Sequence, residues 1–455
     1  MKKVIFFSML ALALQIVKAQ DFKGVKNAAL LNQLELAKTE LDKIMADPKA
    51  QTKPDGFLWK SKIYAGFLID EKSKLKYPNA LVIADEAFTR YSQLDPTFKM
   101  VKDNNATDAP VNIFSSTFKD GVRTFNNKVW DSASYYFKFA VTYSDYLFKN
   151  KWLKSDAPFD TTSILYAGYS AQNALKVDDA VKYYTRLMDN KVNDANYIEL
   201  YKYVLLQYIK KNDKTTFEKY LAASKVAYPK ENWEDYEIEF VNKNFSLKDK
   251  VTLYDKEDAA GTMSGAKYLQ YADVFVNIPK DDKAKMDSLT LDQFQHKALN
   301  AFKKAAAKDS ADGIAHFNAG IIYYNIYGVY DDRAIENRKV LQDLNANHVV
   351  EKDPKKKPAA EGKFKEQTDA IKKLNLNLEK PMMEAVDGCI IYIEKSYNIL
   401  KDKKDPNNVE KSCLRKSVDF LANMYAIKRD KARGKDPKAY DIYDAKYNFY
   451  DKLHK

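Results

Sequence analysis

A spacing of small and bulky residues recurs after about 34 to 37 positions and constrains this chain's fold more than any other feature. Its clearest copy has Ile164, Ala167, Gly168 and Ala171 in one segment and Ala180, Tyr184 and Leu187 in the next. Small residues at these intervals let two antiparallel helices approach closely, and the bulky residues fill the groove between neighbouring pairs. The spacing therefore predicts a succession of helix pairs.

The same spacing recurs along most of the chain. Closely matching copies are Tyr201, Val204, Leu205 and Tyr208 with Phe217, Leu221 and Ser224; Gly121 with Ala133, Phe137 and Ala140; and Phe57, Ser61 and Tyr64 with Ala84, Phe88 and Tyr91. Looser copies are residues 265–275 with Ala298, Phe302 and Ala305; His316, Ala319, Gly320 and Tyr323 with Cys389, Ile393 and Ser396; and Val418, Ala422 and Tyr425 with Tyr440, Tyr443 and Tyr447. Asp120 and Lys60 occupy positions that are normally apolar, which blurs single copies but not the pattern.

These positions resemble the tetratricopeptide repeat (TPR) family over most of residues 55–453, in about seven pairs. The resemblance implies an all-α fold, an α-solenoid of antiparallel helix pairs. Low glycine and proline contents, 13 of each in 455 residues, also favour helices over a turn-rich sheet. The TPR motif indicates architecture only, because many unrelated functions share it.

The first residues have the pattern of a secretory signal peptide. Lys2 and Lys3 precede an apolar stretch, and Val17 and Ala19 are small residues at the positions that a signal peptidase requires. Cleavage after Ala19 would produce a periplasmic or secreted bacterial protein, and no later stretch is apolar enough to span a membrane. Loss of residues 1–19 lowers the net charge from +12 to +9, which favours acidic partners without requiring them.

These patterns divide the chain into six segments. They are a signal peptide (1–19), an N-terminal capping helix (20–50), TPR-like repeats (51–230), looser helical repeats (231–324), an inserted long helical hairpin (325–385), and a C-terminal helix pair with a capping helix (386–455). The capping helix is predicted over about residues 25–46 from one apolar face. That face comprises Leu30, Leu31, Leu34, Leu36, Ala37, Leu41 and Ile44.

The inserted hairpin separates the first helix of one pair, at Tyr323, from its partner at Cys389. Apolar residues recur at helical spacing on both sides of a polar turn at residues 351–358, and Pro381 is expected to kink the returning helix. The turn carries Lys352, Lys355, Lys356 and Lys357. Two interpretations stay open: a docking arm whose lysines contact an anionic surface, or a lysine-rich turn that is simply solvated.

Residues able to support catalysis or metal binding are sparse. The four histidines, His296, His316, His348 and His454, are not spaced as a metal-binding pair, and His316 falls at a repeat core position. Cys389 and Cys413 are predicted to lie about 12 Å apart along their helices, which disfavours a disulfide but leaves the pairing open. The sequence therefore predicts a protein that is not an enzyme and that holds no cofactor or metal.

Tyrosines are the remaining candidates for binding a partner. Neighbouring tyrosines on a helix, such as Tyr183 and Tyr184, point about 100° apart, so one of the two is expected to face outward. Tyr135, next to Tyr136, and Tyr183 are therefore predicted contacts for a peptide or a sugar, and Tyr203 is a third candidate because it lies in the same tyrosine-rich part of the chain. Partly exposed packing residues would show the same pattern.

Two functions follow from these features. The first is a non-enzymatic scaffold or adaptor that mediates protein–protein interaction in a bacterial cell-envelope complex. The alternative is a helical-repeat module that binds a glycan such as peptidoglycan, through its tyrosines and lysines. Export disfavours nucleic acid as a partner, whereas an anionic glycan or envelope surface remains compatible with the positive charge.

Overall fold

The computed structural model describes residues 21–350, 352–353 and 355–453, and every regular element within them is helical. This confirms the all-α class. The predicted signal peptide, Pro354 and His454 lie outside the described residues. The chain divides between Trp233 and Glu234 into two compact units.

The helices of the first unit are mostly of moderate length and follow one another closely. They are α1 Lys23–Leu30, α2 Leu34–Met45, α3 Pro54–Phe67, α4 Glu71–Lys76, α5 Ala80–Leu94, α6 Lys99–Asp103, α7 Asp108–Asn126, α8 Trp130–Lys149, α9 Thr161–Asn173, α10 Val177–Asp189, α11 Ile198–Lys211 and α12 Lys214–Ala227. Asp160 and Asp213 cap α9 and α12 by accepting hydrogen bonds from backbone N–H groups three residues on.

Helices of the first unit pack against one another at several of the small residues that the spacing predicts. Contacts join α3 to α5, α7 to α8, α9 to α10 and α11 to α12. Ser61 Oγ donates a hydrogen bond to the Ala84 carbonyl at 2.9 Å, and a Cβ on Gly168 would lie 2.3 Å from the Tyr184 ring. Contacts also join α8 to α9 and α10 to α11, so one pair packs against the next.

The N-terminal segment corrects one prediction. Two helices, α1 and α2, replace the single helix predicted over residues 25–46, and Leu30, Leu31 and Leu36 are exposed. Asn32 adopts a left-handed conformation, φ 55°, which ends α1. Asparagine tolerates this conformation better than most residues, so a helix can end there without glycine.

The helices of the second unit include the two longest of the described chain. They are α13 Glu234–Asn244, α14 Leu247–Ala260, α15 Gly265–Val276, α16 Lys280–Lys283, α17 Ser288–Lys308, α18 Gly313–Ala346, α19 Lys357–Lys401, α20 Asn408–Ala432 and α21 Pro437–Asp451. Contacts join α15 to α17, α18 to α19 and α20 to α21, and also α17 to α18 and α19 to α20.

The long helices α18 and α19 pack together, and three of the predicted lysines lie in the segment between them. Ser396 Oγ donates to the Gly313 carbonyl at 2.7 Å near the base of this pair. Helix α19 is continuous through Pro381. On α18 the last buried residue is Ala334. On the described part of α19 the buried residues begin at Ala385, apart from Thr368.

Both cysteines of the second unit are buried thiols that form no disulfide in the described structure. Burial raises the pKa of Cys389 to about 12, so its thiol stays protonated at neutral pH. Cys389 packs in the core of the second unit together with Val386 and Ile393. Across the described ranges, no helix combines the length and the apolar character that crossing a bilayer requires.

Candidate functional site

A pocket in the first unit contains the predicted contact residue Tyr135. It has a volume of about 320 Å³ and lies where α4, α5, α7 and α8 come together. We call it the tyrosine pocket and define it by Glu71, Lys74, Leu75, Val82, Asp120, Arg123, Tyr135 and Tyr136. The short helix α4 lies between the two helices of the α3–α5 pair along the chain, where an ordinary repeat has only a turn.

The aromatic part of the tyrosine pocket is both exposed and supported. Tyr135 is 43% exposed, and its ring stands edge-on to Tyr136 at 5.4 Å and to Phe139 at 5.1 Å between centroids. Partial burial raises the pKa of the Tyr135 hydroxyl, so the group stays protonated at neutral pH and can donate a hydrogen bond. Leu75 and Val82 expose aliphatic side chains beside it.

The charged part of the tyrosine pocket is an ion-pair network. Lys74 Nζ lies 3.1 Å from one carboxylate oxygen of Asp120, and Arg123 Nη2 lies 3.1 Å from the other. Glu71 is 4.0 Å from Lys74 and 3.7 Å from Lys119. The side chains of Lys74 and Asp120 are largely buried, so this pair is more firmly positioned than the exposed charges around it.

Tyr183 and Tyr203 are not among the residues that line the tyrosine pocket. Both are half-buried, on α10 and α11, and burial raises the pKa of Tyr183 to about 12. The Tyr203 ring stands edge-on to Tyr184 at 5.6 Å, and the Tyr184 hydroxyl donates to Gln172 Oε1 at 2.7 Å. Tyr203 therefore packs against the buried tyrosine of the preceding pair.

The predicted lysines lie in the second unit, three in the connection between α18 and α19 and one, Lys357, at the first residue of α19. Lys352, Lys355, Lys356 and Lys357 are exposed, and no carboxylate of the described chain lies within 4.0 Å of their ammonium groups. Val349 and Val350 are exposed just before them. This turn therefore presents positive charge beside apolar surface.

The described ranges contain no group of three or more His, Cys, Asp or Glu side chains placed to hold a metal ion. At the end of the hairpin, His348 Nε2 lies 3.3 Å from a Glu361 carboxylate oxygen, and its ring stacks on Phe364 at 3.8 Å. These contacts join the residues after α18 to the start of α19.

The tyrosine pocket was only partly visible in the sequence. Tyr135 was predicted from its position next to another tyrosine. Asp120 was treated only as a departure from the spacing, but it could have given a second signal, because a carboxylate at a normally apolar position needs a polar partner if it is buried. Lys74 and Leu75 gave none, since α4 carries no repeat pattern.

Neither a protein-family model nor a curated protein matches this chain. Support for a function therefore comes from the residues and contacts of the chain itself.

Proposed function

We propose that this protein is an exported, non-enzymatic scaffold that binds a protein partner in a bacterial cell-envelope complex. We further propose that its helix pairs are TPR-like repeats, about seven in number, that form an α-solenoid with a long inserted hairpin. Close packing at Ser61 and Gly168, together with the α8–α9 and α10–α11 contacts, supports the repeat architecture.

The tyrosine pocket is the main observation that supports binding of a protein partner. Leu75 is 85% exposed beside Tyr135, and exposed aliphatic and aromatic side chains next to firmly positioned charges are typical of protein interfaces. A volume of about 320 Å³ accommodates one or two side chains of a partner. The Lys74–Asp120 ion pair would orient a polar group of the partner that binds next to it.

Affinity purification under gentle crosslinking tests this function. The wild-type protein should recover a stoichiometric partner, and the double variant Leu75→Ser, Tyr135→Ala should lose it. Val226→Ser is the matched control, because Val226 is 83% exposed on α12 and does not line the pocket. Repeated recovery of clean monomer from wild-type cells would contradict the proposal.

Export is proposed from the N-terminal sequence alone. Mass spectrometry of the purified protein should find Gln20 as the first residue, as expected for cleavage after Ala19. Retention of Met1 on the protein in the cell envelope would exclude cleavage.

Glycan binding is the second candidate, favoured by the partly exposed ring of Tyr135 beside hydrogen-bonding side chains. Pull-down on insoluble peptidoglycan, at low and high salt, separates the two functions. Binding that persists in high salt and is lost in Tyr135→Ala would favour the glycan. Wild-type protein that stays in the supernatant while it captures a protein partner would favour the scaffold.

A further inference from the structure

A second cavity lies in the second unit, between α15, α17 and α18. Its volume is about 370 Å³, near the lower end of the roughly 300–1,000 Å³ that is typical of small-molecule sites. Its apolar wall comprises Phe275, Ile278, Leu291, Phe294, Ile322 and Val329. No partner-binding role proposed above uses this cavity, since the tyrosine pocket belongs to the other unit.

The wall of this cavity is buried at its base and exposed at its edge. Phe275 and Ile322 are buried in the core of the second unit, and the Phe275 ring stands edge-on to Phe294 at 5.9 Å. Val276 and Val329 line the same cavity but are exposed. An apolar ligand could therefore enter from solvent and contact preformed aromatic surface.

A long connection between the two helices of one pair contributes to this cavity. Residues 277–287 join α15 to α17 where a repeat would have a short turn, and they include the four-residue helix α16. Ile278 and Lys283 of this connection line the cavity. Side chains of this connection therefore form part of the cavity wall between α15, α17 and α18.

The basic side chains of the cavity have no acidic partner. Arg333 and Lys283 line it, and no carboxylate of the described residues lies within 4.0 Å of either charged group. The Arg333 guanidinium lies 5.9 Å from the Tyr330 ring centroid. Asp292 is the one acid of the lining, and its carboxylate lies 3.7 Å from His296 Nε2.

We propose that this cavity binds a small amphipathic anion, a straight-chain carboxylate, with its chain against Phe275 and Phe294 and its head group at Arg333. Apolar walls favour the chain through burial of its methylene groups. A guanidinium offers paired N–H donors that match a carboxylate, and Arg333 is not already engaged by one. A chain of about ten carbons is compatible with a site of this size.

Isothermal titration with decanoate, and with decanol as an uncharged ligand of equal length, tests the proposal on the full-length mature protein below the micelle concentration. Arg333→Gln removes the head-group contact, and Arg338→Gln is its control, since Arg338 lies on α18 outside the lining. Val329→Trp fills the accessible edge, and Val340→Trp is its control on the same exposed helix. Circular dichroism verifies that each variant is folded.

The wild-type protein should bind decanoate more tightly than decanol. Arg333→Gln should weaken decanoate binding roughly three- to tenfold and leave decanol unchanged. Val329→Trp should weaken both ligands, and neither control should change either affinity. The proposal is overturned by a wild-type protein that binds neither ligand, by unchanged binding in Val329→Trp, or by a decanoate affinity that Arg333→Gln does not lower.

Discussion

At the scale of single residues, two glycines of α18 show what close helix packing requires. A Cβ on Gly320 would lie 2.5 Å from the Ile393 side chain and 3.2 Å from its backbone nitrogen, whereas a Cβ on Gly328 would meet nothing within 4 Å. Ile393 is fully buried, so it has little room to move. Gly320 is therefore needed for close packing, and Gly328 is not.

Alanine substitutions should separate these two cases. Gly320→Ala is expected to lower the free energy of unfolding by about 1–3 kcal/mol, because overpacking outweighs the gain in helix propensity. Gly328→Ala should raise it by up to about 1 kcal/mol, since only the propensity changes. Denaturant titration measures both, and equal effects of the two changes would exclude the steric explanation.

His316 is a second residue whose environment has a measurable consequence. It is 2% exposed, its Nε2 lies 3.3 Å from the Ser310 carbonyl oxygen, and its Nδ1 has no partner. Burial, with a smaller contribution from Lys395, lowers the pKa of His316 below its usual value. The buried position that the sequence spacing predicted for His316 is thereby confirmed.

The stability of the second unit should therefore depend on pH near this histidine's ordinary pKa. In the unfolded chain His316 takes up a proton near about pH 6.5, whereas in the folded chain it stays neutral to lower pH. The free energy of unfolding therefore falls as the pH drops below that value. His316→Phe should flatten this part of the profile. Denaturant titrations between pH 5 and pH 7.5 measure the effect, and parallel profiles of wild type and variant would contradict it.

At the scale of helices, Glu394 connects α19 to the two helices that follow. Its Oε1 accepts hydrogen bonds from the Tyr425 hydroxyl at 2.9 Å and the Tyr450 hydroxyl at 3.1 Å, and Lys446 Nζ lies 2.9 Å away. Tyr425 and Tyr450 are buried. One carboxylate therefore satisfies two buried hydroxyls from different helices.

Removal of this acceptor should destabilise the C-terminal helices. Glu394→Ala is expected to cost about 1–3 kcal/mol, because both hydroxyls lose their partner in a buried site. Glu384→Ala is the control on the same helix, since Glu384 is exposed and its ion pair with Lys380, at 4.0 Å, is long and solvent-exposed. It should change stability by less than about 0.5 kcal/mol. Comparable losses in both variants would show that the Tyr contacts contribute little.

The outer part of the hairpin is a helical element with little core of its own. Asn337 Nδ2 donates to Asn375 Oδ1 at 2.9 Å, which pairs the two helices at that level. Beyond it, Thr368 is the one buried residue of the described hairpin. Most buried residues of the second unit therefore lie on the side of the asparagine pair away from the hairpin tip.

Replacement of residues 338–374 by a turn of about four residues should leave the remaining unit folded. The shortened protein is expected to retain a cooperative thermal transition, with a melting temperature within roughly 5 °C of wild type. Circular dichroism measures both the transition and the lost helical signal. A broad, non-cooperative transition would show that the hairpin stabilises the core.

At the scale of the whole molecule, the all-helical class was predictable because the recurring small and aromatic residues reflect contacts between helices near in sequence. The end of α1 was not predictable, because the apolar spacing continues across Asn32. The left-handed conformation of that one residue ends the helix. Most of the tyrosine pocket was not predictable either. Its wall depends on where α4 and its ion pairs lie in space, which no local pattern encodes.

The central claim, that a protein partner occupies the tyrosine pocket, is tested most directly by site-specific photo-crosslinking in living cells. A photoreactive phenylalanine analogue replaces Tyr135 in one strain and Val226 in another, since Val226 is exposed in the same unit outside the pocket. We predict one discrete crosslinked protein from position 135 and none from position 226. No crosslink at position 135, or the same products at both positions, would contradict the claim.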